Sequence, residues 1–293
     1  KSFIQKVQSS KHFTMPDFYT AMQDEQAQWF GVINGFDVER ENYYGFKNKI
    51  YESFNHFRTY KVSGIVYGNG GCGKSTMLRR LAIDFHKEQL FSVVWLNDNS
   101  VDSFVKEGLY VIENNSLKKE STSGFLIIIE DWCRMFNDKP DLANEFLKRT
   151  DKIDGVRIVL GDRNMVEKPY LKHLNHDTNP VLLTSDENQN IIEKITEKYP
   201  NWKEPSENLF QKPQNYESTL FLLLFILART NQKASKLSVN SLSEPKTLFL
   251  EIIESDLKFI AKNKKHIGLA KALYYWACFY SEHKIHISYE TFL

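Results

Sequence analysis

The stretch GNGGCGKS at residues 68–75 decides the fold of this chain, because it matches the pattern G-x-x-x-x-G-K-[ST] in the context that the pattern requires. The apolar run GIVY at residues 64–67 predicts a buried parallel strand before it, and apolar residues at helical spacing predict a helix over residues 74–87 after it. Glycines let the loop turn its backbone N–H groups inward, and the helix N-terminus adds further donors. The sequence therefore predicts a nucleoside-triphosphate site in an α/β P-loop NTPase core.

Each residue type in this loop has a predicted task. Lys74 reaches the β and γ phosphates, Ser75 supplies a hydroxyl to Mg²⁺, and Thr76 starts the helix proper. The predicted nucleotide-binding residues of the loop are Gly68, Asn69, Gly70, Gly71, Cys72, Gly73, Lys74, Ser75 and Thr76. A GTPase would also need an Asn-Lys-x-Asp motif at the end of a late strand; the nearest string, DKID at residues 151–154, precedes its strand and lacks the Asn. The base-reading motif of a GTPase is therefore missing from the place where it is expected.

Two acidic residues follow a second apolar run, as a magnesium site next to a P-loop requires. The run FLIII at residues 125–129 predicts a central strand buried on both faces, and it ends in Glu130 and Asp131, the pattern called Walker B. One acid is expected to hold the metal shell and the other to orient water. The first acid is usually Asp, and here it is Glu. Ser75 and Glu130 are the predicted metal residues and Glu130 and Asp131 the predicted catalytic acids, while the sequence leaves open which acid contacts the metal.

A further strand carries the third predicted catalytic residue. The run VRIVL at residues 156–160 is followed by Gly161, Asp162 and Arg163, and a guanidinium there can fork onto the γ-phosphate and detect its presence. The alternative is a surface arginine that pairs with Asp162. With a strand predicted over residues 91–96 and a helix over 103–113, the chain alternates strands and helices, which predicts a doubly wound parallel sheet.

Taken together, these motifs resemble the STAND class of signal-transducing ATPases, which includes the NB-ARC and NACHT proteins and many prokaryotic anti-phage sensors. The resemblance rests on the Arg40-Glu41 pair, the P-loop, the strand LIIIED and the strand that ends in GDR. It implies a regulated ATP switch, an ATPase that hydrolyses slowly, with Arg40 among the nucleotide-binding residues. ATP between the core and a helical lid would hold one domain arrangement, and a sensed ligand would favour another that oligomerises.

We expect the chain to consist of four parts. We expect an N-terminal linker or the end of an upstream domain at 1–35, the NTPase core at 36–185, an α-helical lid at 186–262, and the start of a winged-helix-like domain at 263–293. The lid of the family carries a Gly-x-Pro turn that touches adenine, and the segment KPQNYES at residues 212–218 does not contain it. The lid residues that contact adenine are therefore left undefined.

Composition limits the partners that can be expected. A formal net charge of +1 gives no global attraction to nucleic acid, and three widely spaced cysteines (Cys72, Cys133 and Cys278) give no disulfide framework and predict a reducing cytoplasm. The longest apolar stretch, residues 220–228, is too short for a membrane span, so no membrane partner is expected. The resemblance implies a homo-oligomer on activation, a protein trigger for which a phage protein is a candidate, and fused effector and sensor domains outside this fragment.

Two other functions fit the same motifs. An AAA-type ATPase of the replication-initiator kind shares the Arg-Glu pair, the arginine after a strand and a winged helix, but it acts on DNA. A nucleotide-binding interaction module would keep the site without meaningful turnover. Salt-dependent DNA binding and a measured ATPase rate separate these alternatives from a signalling ATPase.

Overall fold

The strands form a single parallel sheet in the computed structural model of this protein. The model describes residues 3–8, 12–20, 24–55, 61–68, 71–89, 91–97, 100–117, 124–136, 139–162, 169–174, 178–184, 186–203, 220, 224 and 227–228. Its strands are β1 (Val62–Gly68), β2 (Ser92–Leu96), β3 (Phe125–Ile129), β4 (Val156–Asp162) and β5 (Asn179–Leu183). Their order is β2-β3-β4-β1-β5, and every neighbouring pair is parallel. The predicted doubly wound parallel sheet is therefore confirmed.

Helices cover both faces of this sheet. The first five are α1 (Phe3–Gln8), α2 (Met15–Thr20), α3 (Glu25–Ile33), α4 (Tyr43–Ser53) and α5 (Lys74–Glu88). The segment between β2 and β3 runs from α6 (Val101–Ser103) through a π-helical turn (Phe104–Gly108) into α7 (Leu109–Leu117). Later in the described part of the chain lie α8 (Trp132–Phe136), α9 (Pro140–Asp151) and α10 (Asn188–Lys198). Short 3₁₀ turns lie at Pro169–His173 and Pro200–Trp202.

The central strands are apolar throughout because successive side chains enter two different cores. Leu126 and Ile128 of β3 pack into a cluster with residues of α3, α4 and α5, whereas Ile127 and Ile129 pack into a second cluster with residues of α7, α8 and α9. All four side chains are fully buried. A strand buried on both faces is continuous in hydrophobicity rather than alternating, which is why these runs could be found in the sequence.

The N-terminal segment differs from the expected linker. Thr14 and Asp17 form a reciprocal cap on α2, in which the Thr14 backbone N–H donates to Asp17 at 2.8 Å and the Asp17 N–H donates to the Thr14 hydroxyl at 3.4 Å. Phe18 and Phe30 are buried in the same cluster as the core strands. The described part of residues 1–35 is thus helical and packed onto the NTPase core, where we expected a linker or the end of an upstream domain.

The fifth strand is a second departure from the sequence prediction. Among the described strands, β5 pairs only with β1, and Leu182 on it is half exposed, whereas Val181 and Leu183 are buried. Pro180 has no N–H to donate, which an edge strand tolerates because one of its sides has no neighbour. A short edge strand with a proline has no continuous apolar run to reveal it.

The lid and the winged helix fall largely beyond what the structure describes. The expected lid at 186–262 is described over 186–203 and at four later positions, and the expected winged-helix start at 263–293 lies outside the described residues. The domain boundaries therefore remain predictions. In the part of the chain that is described, no helix has the length and apolar character needed to cross a membrane.

Candidate functional site

The predicted phosphate loop closes on the N-terminus of α5, where backbone conformation requires glycine. Gly73, the N-cap of this helix, has a φ of +95°, in the left-handed region that side chains with a Cβ rarely adopt. Gly68 has a φ of +152°, and a Cβ there would lie 2.6 Å from the Leu183 carbonyl oxygen of β5. The loop is therefore held between the first strand and the edge strand. Asn69 and Gly70 lie outside the described residues.

Lys74 lies within this loop rather than in solvent. Its side-chain Nζ donates to the Gly68 carbonyl oxygen at 2.8 Å, and the residue is 9% exposed. Ser75 and Thr76 follow on the first turn of α5 and, with Gly71 and Gly73, line the cavity described below. The ammonium and the helix N-terminus thus face the same space, as phosphate binding requires.

Arg40 joins three parts of the site. Its guanidinium donates through Nη2 to the Cys72 carbonyl oxygen and through Nη1 to the Glu187 carboxylate, and its side chain is 5% exposed. Glu187 is the residue that precedes α10. The residue that the resemblance placed at the nucleotide therefore contacts the phosphate loop directly and connects it to the first helix of the expected lid.

A cavity of about 380 Å³ lies over these groups. Its polar end is formed by the loop, Lys74, Ser75, Glu130 and Asp131. Apolar side chains also line the cavity, and they come from the segment after α3, from α10 and from the later part of the chain: Val38, Ile191, Ile195, Leu220 and Leu224. A cavity lined by an ammonium group, a helix N-terminus and apolar side chains matches a ligand with an anionic tail and a flat hydrophobic head.

The two predicted Walker B acids lie at the carboxyl end of β3, and β4 separates this strand from β1. Both line the cavity. Glu130 accepts a hydrogen bond at 2.9 Å from Nη2 of Arg79, a residue of α5. The structure therefore brings both acids to the polar end of the cavity, and it gives Glu130 a cationic partner that the sequence did not suggest.

Arg79 is the site residue that sequence reasoning missed. Its side chain is 6% exposed, and its guanidinium carbon lies 5.5 Å from the Trp29 ring centroid and 5.2 Å from that of Trp95. Burial lowers the pKa of Arg79, and the charge of Glu130 opposes that shift. Its spacing was the available signal: a residue four positions after Ser75 lies on the same helix face.

Arg163 itself lies outside the described residues, and Asp162 and Pro169 are the nearest described positions before and after it. Asp162, the last residue of β4, is fully buried and accepts a hydrogen bond at 2.6 Å from the Tyr170 hydroxyl. β4 lies between β1 and β3, so its last residue, Asp162, lies between the end of the strand before the phosphate loop and the strand that carries the two acids. Its predicted role remains a prediction.

The sequence of the chain matches a known protein family over residues 22–169, half of its length. That family is described as novel STAND NTPase 5. The chain belongs to this family. The matched part includes Arg40, the phosphate loop, Glu130, Asp131 and Arg163, so every predicted site residue of this STAND NTPase lies within it.

Solved structures similar to this STAND NTPase include C. elegans PCH-2, with 9% identity, a TM-score of 0.43, and coverage of 70% of this chain and 73% of that chain. AMPPCP-bound DnaA from Aquifex aeolicus has 15% identity and a TM-score of 0.43, over 69% of this chain and 68% of that chain. A chain of the E. coli MS115-1 HORMA:CdnC:Trip13 complex has 11% identity and a TM-score of 0.43, over 78% and 90%. No curated protein matches this chain.

Proposed function

We propose that this chain is the ATP-binding and oligomerisation module of a STAND-type signal-transducing ATPase, in which slow Mg²⁺-dependent hydrolysis acts as a switch. One observation carries the proposal: a single cavity joins the phosphate loop, two acids at a strand end, Arg40 and the first helix of the expected lid. A site that touches both the core and the lid helix can bias their arrangement through differential affinity for its ligand.

The chemistry of the cavity fits a nucleoside triphosphate. Lys74, Arg40 and the N-terminus of α5 supply positive charge and N–H donors for the phosphates. Val38, Ile191 and Ile195 supply apolar surface for a base, which has two flat faces and few hydrogen-bonding edges. We assign the triphosphate to the loop end and the base to the end between Val38 and α10.

A magnesium ion fits the same end. Among the described residues, no group of three or more His, Cys, Asp or Glu side chains could hold a metal ion by itself. Mg²⁺ retains several waters and is usually held by one or two protein groups together with substrate phosphates, so Ser75 and one acid are sufficient. Such an ion would neutralise charge on the transferred phosphate, while the second acid orients the attacking water.

The signalling role extends the family assignment. We propose that the ATP-bound form assembles into a homo-oligomer in the cytoplasm after a protein trigger binds elsewhere in the full-length protein, and that a phage protein is a candidate trigger in a microbial defence setting. The membership in a STAND NTPase family supports this role. The contacts of Arg40 with both the phosphate loop and Glu187 supply a physical route from nucleotide to domain arrangement.

Nucleotide titrations of the purified chain test the proposal. Mg-ATP should bind more tightly than Mg-GTP, turnover should be slow, and the oligomeric state of the full-length protein with its trigger should depend on ATP. Binding of duplex DNA that weakens steeply with salt would instead favour the replication-initiator alternative. Tight ATP binding with no hydrolysis under any condition would favour the interaction module.

A further inference from the structure

A buried ion pair lies in the wall of the cavity, and its role depends on the proposed function. Arg79 Nη2 is 2.9 Å from Glu130 Oε1, with side chains 6% and 14% exposed. The rings of Trp29 and Trp95 pack edge to face with their centroids 4.8 Å apart, and both lie beside the guanidinium. The arginine is thus enclosed by two aromatic rings and held by one carboxylate.

This enclosure makes Glu130 important for Arg79. A buried cation needs compensation for its lost hydration, and cation–π contacts supply only part of it. The Nε atom of Arg79 is buried without a hydrogen-bond partner in the part of the chain that the structure describes. The ion pair with Glu130 is therefore the main described compensation for this charge.

The position of the pair relates it to the metal. Ser75 and Arg79 are four residues apart on α5, so they lie on one helix face about 6 Å apart along the axis. Glu130, at the end of β3, lines the same cavity as Ser75. The carboxylate predicted to face a divalent cation is therefore already neutralised by a cation one helical turn behind the predicted metal hydroxyl.

We propose that Arg79 is a positioning residue that holds Glu130 away from the metal shell and thereby lowers the Mg²⁺ affinity of the nucleotide site, so that Glu130 changes partner when Mg-nucleotide binds. Two cations then compete for one carboxylate. Arg80, the next residue, does not take part because its guanidinium forms an ion pair with Asp37. At low Mg²⁺ the Arg79–Glu130 ion pair would remain intact. Tight binding of the triphosphate would then require Mg²⁺ to be present as well.

The first test measures how binding of a fluorescent ATP analogue depends on Mg²⁺ concentration. Arg79→Met removes the charge and keeps much of the volume. The Mg²⁺ concentration that gives half of the maximal increase in analogue binding should therefore be about tenfold lower than in the wild type. Arg79→Lys keeps the charge and should stay close to the wild type. Lys87→Met, at the exposed far end of the same helix, controls for loss of one positive charge.

A double-mutant cycle shows whether Arg79 acts through Glu130. In the Glu130→Gln background, Arg79→Met should no longer change the Mg²⁺ requirement. An equal shift in both backgrounds would mean that Arg79 acts only as a distant charge, and this outcome would overturn the proposal. An unchanged or raised Mg²⁺ requirement in Arg79→Met would overturn it as well.

Tryptophan fluorescence gives a readout in the wild type that needs no charge variant. Because Trp29 and Trp95 flank Arg79, Mg-nucleotide should shift their emission, whereas nucleotide with EDTA should not. The shift should shrink in Trp29→Phe and Trp95→Phe. A Mg²⁺-independent signal overturns the inference even if Arg79→Met does not fold. Absence of any nucleotide binding by the wild type would overturn the proposed function itself, whereas binding without these Mg²⁺ effects overturns this inference alone.

Discussion

The Lys74 ammonium donates to the Gly68 carbonyl oxygen at 2.8 Å, so the two ends of the phosphate loop are tied together by the side chain predicted to bind phosphate. Both residues are buried. A neutral carbonyl is a weaker partner for an ammonium than a phosphate oxygen is, so a triphosphate can replace it at little cost. The same contact gives Lys74 a structural task in the free protein.

Replacing this lysine tests the site directly. Lys74→Ala should weaken Mg-ATP binding by about a hundredfold or more, because hydrogen bonds to charged groups contribute about 1.5–3 kcal/mol each and Lys74 is expected to reach two phosphates. Calorimetric titration measures the affinity, and thermal unfolding shows whether the fold survives. Lys87→Ala, at the exposed end of α5, is the matched control. Equal affinities in the two variants would contradict the site.

The two acids should matter more for turnover than for binding. Glu130→Gln and Asp131→Asn, made singly, should each lower ATP hydrolysis by at least about tenfold, because charge that develops in the transition state depends on the metal and the oriented water. Their ATP affinities should change much less. Single-turnover rates and equilibrium titrations separate the two effects. If neither variant hydrolyses more slowly than the wild type, the Walker B assignment is wrong.

The strands with the clearest pattern in the sequence are those that are buried along most of their length. β1, β3 and β4 are buried along most of their length, so their apolar runs were continuous and marked both the strands and the acids at their ends. β5 was missed because Pro180 and the half-exposed Leu182 interrupt its pattern. α2 lies in the segment that we expected to be a linker or the end of an upstream domain, although Thr14 and Asp17 have the spacing of a capping box.

The contacts within the site were less predictable than its motifs. Lys74, Ser75, Glu130 and Asp131 belong to local patterns, each adjacent to the strand or helix that positions it. Glu130, the ion-pair partner of Arg79, lies 51 positions further along the chain. The two aromatic rings beside the guanidinium, Trp29 and Trp95, belong to other elements. Glu187 lies 147 positions from Arg40. Pairings at such separations depend on tertiary packing, which no local pattern encodes.

The role of Arg163 in detecting the γ-phosphate remains a prediction that rests on its position in the sequence directly after β4. If it detects the γ-phosphate, Arg163→Ala should narrow the ratio of ATP to ADP affinity by about ten- to a hundredfold, because the lost contact is available only to the triphosphate. The ATP dependence of full-length assembly should weaken in parallel. Affinities for both nucleotides in the wild type and the variant provide the measurement. An unchanged ratio would assign Arg163 a structural role.

Close backbone approach at the Walker B strand gives a stability prediction. A Cβ at Gly161 of β4 would lie 2.3 Å from the Glu130 carbonyl oxygen and 3.1 Å from Leu78. Gly161→Ala should therefore destabilise the fold by about 1–3 kcal/mol and displace Glu130, which lowers turnover. Gly45→Ala is the control, since nothing lies within 4 Å of a Cβ there and α4 should tolerate or favour alanine. Equal unfolding free energies in urea for both variants would contradict this packing.

The last prediction concerns the connection between nucleotide and lid. Arg40 contacts Cys72 and Glu187, and further hydrogen bonds join α10 to residues 35–41. Asn190 donates to Glu41 at 2.7 Å, and Lys198 donates to the carbonyl oxygens of Asp37 at 3.2 Å and Gly35 at 3.3 Å. Glu187→Gln should weaken the attachment of α10 without removing any loop residue. Amide hydrogen exchange over residues 188–198 should become several-fold faster in the nucleotide-free protein.

A control variant and a double-mutant cycle show whether faster exchange over residues 188–198 comes from loss of the Arg40–Glu187 ion pair. Glu193→Gln lies on the exposed side of α10 and carries the same change in charge, so it should leave exchange over residues 188–198 near the wild-type rate. Arg40→Gln should accelerate exchange as Glu187→Gln does, and the double variant should add little, because the two side chains form one contact. Arg40→Gln alone should also weaken ATP binding, since it loses its bond to the phosphate loop as well. If Glu187→Gln and Glu193→Gln exchange alike, the ion pair does not hold α10, and nucleotide cannot act on the lid through Arg40.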